Sequence, residues 1–183
     1  SDWATILGTN PYSNKNTLLL KKCGKDIPFP SNSAIDWGVK YEDVAVQIYE
    51  QRNKNEILLF GCIRHPTIKF LGASPDGISK NGVMLEIKCP SSRKITGIPP
   101  VYYWTQVQAQ LEVCELDRCD FLECKIEEYL SREEFENDKY CEDYSVNYKG
   151  YEKGCVLEFF NKKTKTYIFK YSPLGIFGEK MDD

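Results

Sequence analysis

The run Ser74-Pro75-Asp76-Gly77-Ile78-Ser79-Lys80-Asn81-Gly82-Val83-Met84-Leu85-Glu86-Ile87-Lys88-Cys89-Pro90 reads as a β-hairpin. Lys80-Asn81-Gly82 is the turn, Gly77-Ile78 lies on one strand and Val83 to Lys88 form the other. Side chains alternate along a strand, so Glu86 and Lys88 share one face while Leu85 and Ile87 point to the core. An acid and a lysine on one face of an apolar strand are costly to bury without a role. Asp76 ends the partner strand, where the hairpin brings it alongside Glu86; Pro75 and Gly77 fix its direction in a tight turn. Two carboxylates and a lysine suit a Mg²⁺-dependent phosphodiesterase. The carboxylates hold hard cations on oxygen ligands, the cations activate water, and the lysine steadies charge at the scissile phosphate. The same spacing is met by a surface hairpin with a Glu–Lys cross-strand pair, and these residues alone leave both readings open.

Outward from the hairpin, the order is helices, a strand meander, a helix, then more strands. Ser1-Asp2 to Leu7 reads as a capped short helix, and Thr17 to Lys22 as a second, stopped by Gly24. Ser31 or Asn32 caps a long helix to about Asn53, with Trp37, Tyr41, Val44 and Ile48 at helical spacing. Ile57-Leu58-Leu59-Phe60 and Thr67 to Leu71 read as strands. Pro99-Pro100 opens a helix to about Cys114 with an apolar stripe of Val107, Leu111 and Cys114, and Cys119 to Lys125 is a strand. Ser131-x-x-Glu134 is a capping box, and 137–152 an irregular, Tyr-rich stretch. Val156 to Phe160 and Tyr167 to Lys170 form a late hairpin. The pattern is a mixed α/β domain, a central sheet covered by helices.

The 183 residues, 42% of them hydrophobic, suffice for one domain with its own core. No apolar run approaches the ~20 residues of a membrane span, and Ser1-Asp2-Trp3 lacks the basic and apolar regions of a signal peptide. A net charge of −3 gives no global basic field, so a nucleic-acid partner would be drawn by a local basic patch or by bound metal ions. The eight cysteines contain no C-x-x-C, and the five-residue spacing of Cys114, Cys119 and Cys124 fits no common zinc pattern. Reduced thiols and an intracellular protein are expected, in the cytoplasm or, for a viral source, the cytoplasm or nucleus of the host cell. His65 is the single histidine, which excludes a multi-histidine metal site.

Ser74-Pro75-Asp76-Gly77 followed by Leu85-Glu86-Ile87-Lys88-Cys89-Pro90 resembles the signature of the lambda exonuclease and YqaJ viral recombinase group of the PD-(D/E)XK nuclease superfamily. Ala34 to Glu42 looks like that family's Trp-Gly-x-x-Tyr-Glu helix, here Trp37-Gly38-Val39-Lys40-Tyr41-Glu42. Ser1-Asp2, Leu7-Gly8 and Asn10-Pro11-Tyr12 are similar to its amino-terminal segment, and Tyr103 to Gln108 to its Tyr-x-x-Gln-x-Gln helix. The motifs fall in the family's order from residue 1 to about 125. The resemblance implies an α/β, restriction-endonuclease-like PD-(D/E)XK core, a central mixed β-sheet flanked by helices. A single nuclease domain over 1–183 is expected, 1–125 matching the family core and a divergent 126–183 completing the fold.

The resemblance also implies roles. Asp76 and Glu86 are the main metal ligands, the Ile87 backbone carbonyl a further one, and Glu42 supports the metal directly or through water. Lys88 is the catalytic lysine, and Gln106 orients the nucleophilic water or Lys88. Gln108 or Gln110 takes the polar outer face of that helix, since these cannot all point inward with Gln106. Arg93 and Lys94 either touch the DNA backbone or form a solvated loop. Ser1 matches a position near a terminal 5′-phosphate pocket, and Lys15 belongs to an early basic cluster suited to phosphates. The cofactor is Mg²⁺, with Mn²⁺ able to substitute. The implied activity is a 5′-to-3′ exonuclease on double-stranded DNA ends, leaving a 3′ single strand for an annealing protein in recombination or end repair. Family relatives form trimeric rings around DNA, which makes a homo-oligomer an expectation here. The alternatives are an endonuclease or a nuclease of other polarity in the same superfamily, and a catalytically idle DNA-binding module.

Overall fold

The computed structural model describes residues 2–25, 33–143 and 145–176. Its elements are α1 (Asp2–Ile6), α2 (Lys15–Lys22), α3 (Ser33–Asn53), β1 (Ile57–Leu58), β2 (Ile63–Arg64), β3 (Gly72–Ala73), β4 (Gly77–Ser79), β5 (Met84–Lys88), α4 (Val101–Cys114), β6 (Cys119–Glu123), α5 (Arg132–Asn137), β7 (Val156–Asn161) and β8 (Thr166–Tyr171). The caps expected at Ser1, Ser31 and Asn32 lie outside the described residues. Asn14, whose side chain accepts the Thr17 N–H, starts α2 earlier than the sequence suggests.

The central sheet has the order β1-β4-β5-β6. β1, β4 and β5 are antiparallel neighbours, while β5 and β6 run parallel, with Glu86 opposite Phe121 and Lys88 opposite Glu123. A parallel pair needs a crossover, and α4 supplies it. The β4–β5 hairpin closes through the Ser79 and Gly82 backbones, with Gly82 at φ 75°. Gly77 packs so close to β1 that a β-carbon there would lie 2.2 Å from the Ile57 methyl, which is why the residue after Asp76 carries no side chain.

Helix α3 covers one face of this sheet. Tyr41, Ala45 and Tyr49 form the core with Ile57, Leu85, Ile87 and Cys89, and Trp37, Val44 and Leu122 pack around them. Helix α4 covers the other face, where Met84 and Glu86 are fully buried. The amino-terminal segment leans on α4 through a Thr9–Thr105 hydroxyl bond of 3.2 Å. Side-chain bonds tie the carboxy-terminal part to α3. Lys40 pairs with Glu128 at 2.8 Å, Arg52 grips Glu152 at 2.5 and 2.7 Å, and the Tyr171 hydroxyl donates to the Lys40 carbonyl at 2.7 Å.

Two sequence expectations differ from what is observed, at Thr67 to Leu71 and along α4. Thr67 to Leu71 is a turn, not a strand. His65 Nδ1 accepts the Thr67 and Ile68 N–H groups, so the chain bends between the short strands β2 and β3. The buried positions of α4 are Thr105, Val107, Gln110 and Val113 rather than Val107, Leu111 and Cys114. Within 137–152 the chain is irregular but closed, since Tyr140 bridges to Asn147 and the Asn147 side chain is fully buried.

Candidate active site

The site grows out of β5. Because the strand alternates, Leu85 and Ile87 enter the core under α3, and Glu86 and Lys88 face α4. Continuing the register Gly77↔Leu85 by one step sets Asp76 opposite Glu86. Asp76 is anchored there by the Ile87 N–H, which donates to its Oδ2 at 2.6 Å. Ile87 thus ties the two strand ends together through its own backbone, between the two site residues Glu86 and Lys88.

Glu86 is the hub. Its Oε1 accepts from Lys88 Nζ and from Gln106 Nε2 at 2.6 Å, and its Oε2 accepts from Gln110 Nε2 at 2.9 Å. Gln110 also donates to the Ser74 carbonyl at 3.3 Å. Of Gln108 and Gln110, it is Gln110 that points inward beside Gln106. Gln106 and Gln110 are one helical turn apart and share a face, whereas Gln108 is exposed. That i, i+4 spacing is the signal that could have found Gln110 from sequence.

The electrostatics are those of a negative pocket with one nearby cation. Burial pushes the Asp76 carboxyl up to about 7, Glu86 adds to the rise, and Lys88 and the Ile87 N–H oppose it. Glu42 sits on the rim with its side chain open to solvent. Its carboxyl is raised too, by partial desolvation first and then by Asp43 and Glu86 against Lys88. Glu42, Asp76, Glu86 and Lys88 therefore act on one another, although Glu42 comes from the helix behind the sheet.

The donor set fits a hard divalent cation. Asp76 and Glu86 offer carboxylate oxygens in a place where negative charge is under-compensated, which a cation would relieve. Among the described residues no three His, Cys, Asp or Glu side chains close into a ready cage. Asp76 and Glu86 with backbone oxygen are the inner candidates, and Glu42 stands at one remove.

Beside the carboxylates lies an aromatic and basic rim that the sequence motif did not reveal. Lys88 Nζ lies 5.1 Å and the Arg93 guanidinium 5.8 Å from the centre of the Tyr103 ring. Tyr103 continues into Tyr102 at 4.3 Å and Tyr102 into Tyr12 at 5.9 Å. Arg93 is held by the largely buried Glu123 on β6. Lys94 is exposed, as is Lys15 at the start of α2, and Ser1 lies outside the described residues. His65 is apart from the carboxylates, with its Nε2 3.6 Å from Glu112 on α4.

Comparison with known proteins bears on the family and the fold. The model of the YqaJ-like viral recombinase domain matches residues 1–117. An uncharacterized protein of Acanthamoeba polyphaga mimivirus is 38% identical over 178 residues, covering 87% of this chain and 32% of its own length. A protein of African swine fever virus is 27% identical over 142 residues, covering 61% of this chain and 41% of its own. The chain thus spans a third to two fifths of these relatives. Among solved structures, the alkaline exonuclease LHK-Exo of Laribacter hongkongensis matches with TM-score 0.55 and 30% identity over 64% of this chain and 63% of that one. LHK-Exo in complex with dAMP matches in fold with TM-score 0.56 and 22% identity over 92% and 73%. With its helix-flanked mixed sheet of the PD-(D/E)XK type, as the sequence led one to expect, the chain belongs to the YqaJ-like viral recombinase family.

Proposed function

We propose that this domain is a divalent-metal-dependent deoxyribonuclease that hydrolyses phosphodiester bonds of double-stranded DNA from a 5′ end, leaving a 3′ single strand. The observation that carries the reading is the meeting of Asp76, Glu86, Lys88 and Gln106 on one face of β4–β5 and α4. Asp76, Glu86 and the Ile87 carbonyl would hold Mg²⁺, or Mn²⁺ in its place, with Glu42 supporting from the rim. Such a cation supplies Lewis acidity and makes water nucleophilic at neutral pH. Lys88 would stand at the attacking water or at the charge growing on the phosphate. Gln106, bonded to the same oxygen of Glu86 as Lys88, would keep the lysine and the carboxylate in one geometry. Arg93, fixed by Glu123 and Tyr103, would bind a backbone phosphate next to the reacting one; Lys94, Lys15 and Ser1 are further phosphate contacts in this reading.

The likeness to an alkaline exonuclease supports the end-dependent form over an endonuclease. The presence of all four site residues, Asp76 on the Ile87 N–H and the other three bonded side chain to side chain, speaks against an idle DNA-binding module. A trimeric ring around DNA and a single-strand annealing protein as receiver of the product complete the proposal, as does an intracellular site of action. Among the described residues no helix is long and apolar enough to cross a membrane.

The test is digestion of end-labelled linear duplex beside closed circular duplex, with Mg²⁺, with Mn²⁺ and with chelator. Loss of label from the 5′ strand of the linear form alone, only with metal, is expected. Cleavage of the circle would turn the reading to an endonuclease, and no cleavage of either would remove the enzyme. Native mass spectrometry reads the oligomer.

A further inference from the structure

We propose that Gln110 is a positioning residue that holds the two metal-binding carboxylates at their working separation. The inference rests on the metal-dependent reading above and adds a residue to it. Gln110 is 4% exposed, in the middle of α4. Its Nε2 donates to Glu86 Oε2 at 2.9 Å and to the Ser74 carbonyl at 3.3 Å. The Ser74 carbonyl can only accept, so the amide is fixed with its nitrogen toward it and toward Glu86. Its Oε1 is then buried with no hydrogen-bond partner among the described residues. A buried acceptor left unpaired is a net cost to the fold. A helix that needed only to fill this space would be better served by an apolar side chain.

What the amide provides is a bridge. Ser74 stands two residues before Asp76, so one side chain joins the segment that aims Asp76 to the carboxylate of Glu86. Gln106 and Lys88 fix one oxygen of Glu86 and Gln110 fixes the other. The carboxylate can then neither rotate nor withdraw toward Lys88. Groups that orient metal ligands from behind commonly account for ten- to a hundredfold in metal affinity or activity.

The test is calorimetric titration of Mn²⁺ into the full chain without DNA, beside thermal melts in chelator. Gln110→Met keeps the length and loses both donors and the orphan acceptor. Its Mn²⁺ affinity is expected to fall about tenfold or more, and its metal-free melting temperature to fall as well, because Glu86 Oε2 and the Ser74 carbonyl lose their donor. The Mn²⁺ concentration for half-maximal cleavage should rise in step, with a smaller change in rate at saturating metal. Gln110→Leu should give the same split, and keeps the test open if the methionine variant folds poorly. Unchanged Mn²⁺ affinity in both variants would overturn the role of Gln110 while leaving the metal site standing. Loss of melting temperature with Mn²⁺ affinity unchanged would make Gln110 a packing residue only. If the wild-type chain itself takes up no Mn²⁺, the metal reading falls and this inference falls with it.

Discussion

Replacing Asp76 by asparagine should make the metal-free protein more stable while abolishing the proposed nuclease activity. Burial and the charge of Glu86 hold the Asp76 carboxyl at about 7 against an ordinary 3.8. A carboxyl raised in the folded state binds its proton more tightly there than in the unfolded chain. Folding stability is therefore intact below about pH 4 and is lost as pH rises through the window from there to about 7. At 1.36 kcal/mol per tenfold change in acidity, the full penalty above that window is roughly 4 kcal/mol. Relaxation of the site and its effective dielectric leave roughly a third to a half of this, about 1–2 kcal/mol. Asparagine keeps an oxygen to accept the Ile87 N–H, now bonded at 2.6 Å, and removes the charge. At 2–4 °C per kcal/mol for a chain of this size, the variant should melt about 2–8 °C above wild type at pH 8 in chelator. Near pH 4 the two should melt together. Adding Mg²⁺ should raise the melting temperature of wild type and not of the variant, because only wild type keeps both carboxylates of the proposed site. The assay is a set of thermal melts from pH 4 to 8, with chelator and with Mg²⁺. A variant that melts below wild type at pH 8 in chelator, or a gap that does not depend on pH, would refute the account of Asp76 as a strained, buried charge.

Two further outcomes follow from the same geometry. Lys88→Ala should slow single-turnover cleavage about 10²-fold or more, as loss of one preorganised electrostatic donor does, while DNA affinity measured in Ca²⁺ changes far less; equal losses would make Lys88 a phosphate-binding residue, and Lys88→Arg should not rescue because a planar guanidinium cannot replace a compact ammonium beside Glu86. Lys153→Met should destabilise the carboxy-terminal part by about 2–4 kcal/mol. Lys153 is 4% exposed, donates to the Phe135 and Asp138 carbonyls, and lies 4.1 Å from the Phe135 and 4.6 Å from the Tyr140 ring centres. Thermal melting checks it, and a wild-type melting temperature would show that the ring cage does not hold this segment.

What the sequence disclosed and what it hid divide along sequence distance. The Asp76–Glu86 hairpin was legible because its turn, its alternation and both its strands lie within one short run. The α3 stripe was legible because Tyr41 and Ile48 recur at helical spacing and are buried as that spacing implies. The β7–β8 hairpin was legible because Asn161 to Lys165 is a polar turn between two apolar runs. Thr67 to Leu71 misled because alternation there is local, and the competing His65 ring takes the backbone N–H groups a strand would have used. Gln110 was missed because a glutamine on a helix usually faces water. Nothing within α4 says that a buried carboxylate waits opposite, on a strand more than twenty residues away in sequence. The grip of Arg52 on Glu152 and the seating of Lys153 join residues too far apart for any spacing rule.

The core and the site are two sides of one strand, and that has a mechanical consequence. On β5, Leu85 and Ile87 are packed under α3 while Met84 and Glu86 are equally buried under α4. A slip of one residue in the β4–β5 register would send Glu86 into the aromatic core of Tyr41 and Tyr49 and bring Leu85 among the glutamines. Both faces would be wrong at once, so the apolar face enforces the register that the polar face needs. Gly77, pressed against Ile57, and the Ile87 N–H on Asp76 lock the same register from the strand end. The carboxylates can thus be held close against their own repulsion without a metal, because moving them apart would mean unpacking the α3 face. Stability lost at Asp76 is made up by residues on the opposite face of the strand, and variants in Leu85 or Ile87 should spread the carboxylates before they unfold the chain.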